Sequence, residues 1–317
     1  MSDFVYTQAG KASVNGIEIY YETFGKPGNP AILLIMGLDA QCVIYGESFI
    51  KPLVDAEYYV IRFDNRDIGH STWLNETWHR SKPYSLEDMA KDSVELLKFL
   101  NITQANIIGV SMGGMIAQTI AIHYPEKVLS LTSIMSSGYT LNPKVAKNLR
   151  LRLVMLTFPY LIRKFYLKNK YTEHKVTVDS YVATYKMLQG GRFPFDEHYF
   201  RAVFTDSIEI RKGQNPRARY QQFCAIVASG SRLKKLHQIK APTLVIHGTA
   251  DPLINPKHAE IYAPLIPNSK LVMIEGMGHE LPKGALSEIL PLIINHLDKK
   301  QVNEPFNEPS RNKNLLW

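Results

Sequence analysis

Short apolar runs that alternate with helical stretches constrain this chain more than any other feature. Residues 17–24, 31–36 and 58–63 read as strands, and so do 106–110, 128–135, 243–247 and 271–274. Between them, residues 85–100 carry Leu86, Met89, Ser93, Leu97 and Leu100 at helical spacing, with Ser85 and Asp88 placed to cap the free N–H groups at the start. Residues 112–123 form a second helix, rich in small side chains. Buried strands separated by helices predict an α/β fold, a mostly parallel β-sheet flanked by helices.

The rhythm breaks once. Residues 138–236 turn to long helical stretches with many aromatics, such as 149–171, where Pro159 should divide two pieces, and 176–188. Strand patterns then resume, so this segment is expected to be a helical cap inserted into one discontinuous core domain, residues 1–137 and 237–300. Residues 287–297 are the expected last helix, with Pro291 close to its start. Residues 301–317, with four Asn and two Pro, read as a loosely held tail.

Composition narrows the setting. The chain has 317 residues, of which 45% are apolar, enough for a large core. No run approaches the roughly 18 apolar residues of a membrane span, and residues 1–11 lack the pattern of an export signal. Cys42 and Cys224 are far apart and without metal-site spacing. A soluble, cytoplasmic protein without stable membrane insertion is expected. The net charge of +8 is concentrated in the expected cap, where 19 Lys and Arg face 6 Asp and Glu. No nucleic-acid motif accompanies that excess, so an anionic small molecule or lipid surface suits it better than nucleic acid.

One string carries chemistry. Gly109-Val110-Ser111-Met112-Gly113 fits G-x-S-x-G between a buried strand and a helix. A sharp strand-to-helix turn strains the central residue and admits only small neighbours two positions away, which Gly109 and Gly113 satisfy. Ser111 Oγ should then stand at the carboxyl edge of the sheet. The Met112 N–H faces the same place from the helix N-terminus, where partial positive charge favours an oxyanion. Any glycine-rich turn of this kind could produce the string, and it is the context that favours a nucleophile.

A serine hydroxyl needs a base, and the base needs an anion to fix its tautomer. After strand 243–247 the chain reads Gly248-Thr249-Ala250-Asp251, and after strand 271–274 it reads Gly276-Met277-Gly278-His279. Both Asp251 and His279 fall at the carboxyl edge that holds Ser111, in the order Ser, acid, His. A second oxyanion donor is expected at Leu38 N–H, because Gly37 lets the backbone approach. Asp39 is expected to cap the following turn, and the Asp64–Ser71 stretch to lock its own loop through Asx-turns and a local Arg–Asp pair.

Together these residues resemble the α/β-hydrolase superfamily over about residues 15–298. The strings 35–38, 61–69 and 109–114 look similar to its aclacinomycin methylesterase-like branch, serine esterases with a helical cap. The resemblance implies a Ser111–His279–Asp251 triad, an oxyanion hole at Leu38 and Met112, and no metal or organic cofactor. It implies a hydrolase of carboxylic esters; the bulky apolar residues of 149–171 point to a hydrophobic small-molecule ester as its partner, and basic residues at the cap rim, among Arg150, Arg152, Arg163 and Lys164, to an anionic one. Carbon–carbon bond hydrolases share the triad and are the enzymatic alternative. A ligand-binding protein of the same fold without turnover is the alternative outside enzymes.

Overall fold

A computed structural model describes residues 6–142, 145 and 177–298. Eight strands form one sheet: β1 (Gln8–Val14), β2 (Ile17–Phe24), β3 (Ala31–Ile35), β4 (Tyr59–Phe63), β5 (Ala105–Val110), β6 (Val128–Ile134), β7 (Thr243–Gly248) and β8 (Ser269–Ile274). Their spatial order is β1-β2-β4-β3-β5-β6-β7-β8, with β1 and β2 antiparallel and every pairing from β4 to β8 parallel. The mostly parallel α/β sheet expected from the chain is therefore present.

Burial explains the arrangement. In β3 every residue is buried, and the side chains alternate between two cores: Leu33 and Ile35 join one, Ile32 and Leu34 the other. The first core is closed by α2 (Leu86–Phe99) and α3 (Met112–His123), the second by α1 (Glu47–Asp55) and the C-terminal helix (Lys283–Asp298). At the start of α2, Ser85 accepts from the Asp88 N–H while the Asp88 carboxylate accepts from the Ser85 N–H, a reciprocal cap.

The last helix begins before the expected 287 and carries Pro291 inside it. A proline there forfeits one backbone hydrogen bond. Burial of Ala285, Leu286, Ile289, Leu290 and Ile293 along one face outweighs that loss.

Between β6 and β7 lie α4 (Val178–Met187), α5 (Glu197–Thr205) and α6 (Ala218–Ser229). Val178, Val182, Phe200 and Phe204 give the first two a small core of their own. The expected helices of 149–171, the basic residues Arg150, Arg152, Arg163 and Lys164, and the 301–317 tail lie outside the described residues. After β7, α7 (Lys257–Tyr262) precedes β8, and Lys283–Asp298 is α8. Among the described residues no helix is long and apolar enough to cross a membrane.

Candidate active site

Ser111 separates β5 from α3 and has φ 55° and ψ −119°, a left-handed conformation for a residue with a side chain. Such strain persists only where the surroundings enforce it. A Cβ on Gly109 would lie 2.2 Å from the Gly113 carbonyl oxygen, and one on Gly113 would lie 2.0 Å from the Ile35 carbonyl oxygen. Backbone meets backbone at both places, so nothing could move aside. The glycines let α3 press against β3 and β5, and that contact raises Ser111 to the sheet edge.

Asp251 and His279 arrive on the loops after β7 and β8. His279 Nε2 lies 2.9 Å from Ser111 Oγ, and Nδ1 lies 2.7 Å from Asp251 Oδ2. A carboxylate accepts, so Nδ1 carries the proton and Nε2 presents its lone pair to the serine hydroxyl. The His279 N–H also donates to Leu188 O at 2.7 Å. Gly278 permits that approach, because a Cβ there would meet Leu188 O at 2.2 Å.

Asp251 is almost completely buried. Burial alone would raise its pKa, but the field of His279 and hydrogen bonds from His247 and His279 outweigh it. The carboxyl is held well below the usual carboxylate range. Its Oδ1 accepts from the N–H groups of Leu253 and Ile254, both at 2.8 Å.

The two expected oxyanion donors flank the serine. Met112 opens α3, where a first-turn N–H has no helical acceptor. Leu38 and Ser111 line one cleft, and the Cβ position on Gly37 is 3.1 Å from Ser111 Cβ. Apolar side chains dominate that cleft, including Met36, Val110 and Met135 from the core and Leu188 and Phe200 from the segment between β6 and β7. Glu280, beside His279, is buried in its wall, and neither of its carboxyl oxygens has a hydrogen-bond partner among the described residues. Burial raises its pKa to about 7.

Two local expectations are corrected. Asp39 does not cap the turn that follows it. Its carboxylate reaches Tyr181, Gln214 and Arg219 instead, partners distant in the chain that folding brings to it. Arg66 pairs with Asp92 of α2, at 2.7 Å from Nε, rather than with an aspartate of its own loop. The loop aspartates are taken otherwise: Asp64 accepts from the Cys42 and His70 N–H groups, and Asp67 from the Leu74 N–H and the Tyr84 hydroxyl. Sequence reasoning missed His247, Glu280 and Arg219 as neighbours of the site. Only Glu280, adjoining His279, carried a positional hint.

A family model for the alpha/beta hydrolase fold matches residues 30–283, and the chain belongs to that family. Among curated relatives it is similar to the rhodomycin D methylesterase DnrP of Streptomyces peucetius, 26% identical over 288 residues that cover 88% of this chain and 95% of that protein. It is 28% identical to a poly(3-hydroxyalkanoate) depolymerase of Ectopseudomonas oleovorans, covering 87% of each. A bacterial membrane phospholipase A of known structure shares the fold, with TM-score 0.68, 21% identity, and coverage of 92% of this chain and 87% of that one. The methylesterase and depolymerase relatives support carboxylic ester hydrolysis as the class of reaction.

Proposed function

We propose that the protein is a serine hydrolase that cleaves carboxylic esters of hydrophobic small molecules through an acyl-enzyme. The observation that carries this reading is the unbroken chain from Ser111 Oγ through His279 to Asp251, with both links at hydrogen-bonding distance. Ser111 attacks the ester carbonyl while His279 Nε2 takes its proton. Asp251 fixes the tautomer and stabilises the imidazolium. The Leu38 and Met112 N–H groups receive the developing oxyanion. His279 then protonates the leaving alkoxide, activates water to attack the acyl-serine, and returns the proton to Ser111 as the acid departs.

The apolar lining favours a hydrophobic ester. Within the described lining Arg219 is engaged by Asp39, which supports a neutral substrate more than an anionic one. In this reading residues 138–236 form the cap over a core of residues 1–137 and 237–300, and the reaction needs no cofactor.

Ser111→Ala tests the assignment. It should abolish hydrolysis of p-nitrophenyl butyrate without changing the melting temperature, and full retention of activity would overturn the reading. A vinylogous diketone cleaved faster than aryl esters would favour the carbon–carbon bond hydrolase instead.

A further inference from the structure

Asp39 directs every hydrogen-bonding atom it has to one part of the chain. Its N–H donates to Gln222 Oε1 at 2.8 Å, and its carbonyl oxygen accepts from Gln214 Nε2 at 2.6 Å. In its carboxylate, Oδ1 accepts from the same Gln214 nitrogen at 2.9 Å, while Oδ2 accepts from the Tyr181 hydroxyl and from Arg219 Nε, both at 2.8 Å. All four partners lie between β6 and β7, on α4, on α6 and in the loop before α6. The residue is buried and sits in the left-handed region at φ 61°.

The place of this knot in the chain gives it meaning. Core residues hold the loop at its two ends, where Asn65 Nδ2 donates to Met36 O and Asp64 accepts from the Cys42 N–H. Between those anchors Asp39 is pinned from across the cleft, and Gln41 Nε2 donates to Ser207 O and Gly213 O of the same segment. The Leu38 N–H lies one peptide plane ahead of the Asp39 N–H. With Asp39 fixed at its N–H, carbonyl and carboxylate, only the two backbone torsions of Leu38 separate the pinned plane from the donor.

We propose that Asp39 is a positioning residue through which Tyr181, Gln214, Arg219 and Gln222 aim the Leu38 N–H at the oxyanion, so that the segment between β6 and β7 assembles half of the oxyanion hole. This rests on the serine hydrolase reading. An oxyanion donor acts through preorganisation, and a donor free to swing loses most of its effect on the transition state while leaving ground-state binding alone.

The test uses the full chain with Asp39→Ala, Asp39→Asn and Tyr181→Phe, compared with wild type and Ser111→Ala. The probes are p-nitrophenyl butyrate and an alkyl trifluoromethyl ketone, which Ser111 converts to an oxyanion-bearing hemiketal. Asp39→Ala should lower kcat about 10²-fold with KM within about twofold, and ketone affinity should fall by the same factor as kcat/KM. Asp39→Asn, which keeps an acceptor, should recover part of the loss, and Tyr181→Phe should show a smaller loss of the same kind. Ketone affinity and kcat/KM at wild-type values in the folded variants would overturn the proposal. So would a loss confined to KM, or one that follows only the folded fraction measured by melting. An inactive wild type, or an active Ser111→Ala, would instead overturn the hydrolase reading and the clasp with it.

Discussion

His247 and His279 approach the same atom, Asp251 Oδ2, at 3.2 and 2.7 Å. His247 Nε2 is also 2.9 Å from Ile254 O, which can only accept, so that nitrogen carries the proton and is shared between the two oxygens. The aspartate is thus held from behind as well as toward the site. Its neighbour His258 is driven neutral, to a pKa of about 4, by burial and by the field of His247, more than Asp251 offsets.

His247→Phe should therefore loosen Asp251 rather than remove it. A hydrogen bond to a charged group contributes about 1.5–3 kcal/mol, so kcat should fall about tenfold or more with KM unchanged. Asp251→Asn should cost about ten-thousandfold, because the wrong imidazole tautomer is then favoured. Steady-state kinetics on p-nitrophenyl butyrate measure both. A His247 variant that impairs only KM would contradict this account.

Glu280 makes stability depend on pH. Its folded pKa, about 7, exceeds the ordinary glutamate value of 4.5, so between those values the folded state binds the proton and the unfolded state does not. Its contribution is present in full below about pH 4.5, declines as pH rises, and is gone above about pH 7, a change of up to about 3 kcal/mol. Glu280→Gln should melt higher than wild type at pH 8 and similarly at pH 4.5. Equal melting temperatures across that window would show that the carboxyl is not desolvated.

The Arg66–Asp92 pair is buried on both sides. Removing one partner of such a pair typically costs about 3–5 kcal/mol, because the other charge stays behind without compensation. Asp92→Ala should show a loss of that size in urea unfolding. Arg66→Met with Asp92→Leu should restore much of it, whereas additive losses would place the energy elsewhere.

Gly113→Ala should be among the most damaging small substitutions. Its methyl would meet the Ile35 carbonyl at 2.0 Å, so α3 would have to leave β3. Destabilisation of more than about 3 kcal/mol is expected, together with loss of activity. Chemical denaturation that matches wild type would refute the packing argument.

The core elements could be read because their signals are local. Buried strands are apolar, the two residues of the α2 cap are only three positions apart, and the Ser111 turn needs two glycines close at hand. β1 escaped notice because it is an edge strand in which Gln8 and Lys11 are exposed, which dilutes alternation. Its signature lies in the turn instead, where Asn15 and Gly16 both take positive φ between β1 and β2. Asp39 and Arg66 were misread for a different cause. A charged side chain has a local partner and a distant one to choose from, and only folding brings Asp39 to residues 181–222 and Arg66 to Asp92. The residues that line the cleft from α4 and α5 form no motif, since apolar packing does not require a fixed spacing.

The pairing of β6 with β7 has a consequence for the ribosome. Leu131 meets Thr243, so β6 is made about 110 residues before the strand that covers its open side. At about 5–20 residues per second, that flank of the nascent sheet stands bare for roughly 5–20 seconds. It is a parallel strand that is buried along nearly its whole length in the finished fold, and until then its N–H and C=O groups are unpaired, the kind of edge that recruits other chains. Synthesis rate and chaperone access over that interval, more than the stability of the finished enzyme, should therefore govern how much of this protein a cell recovers in folded form.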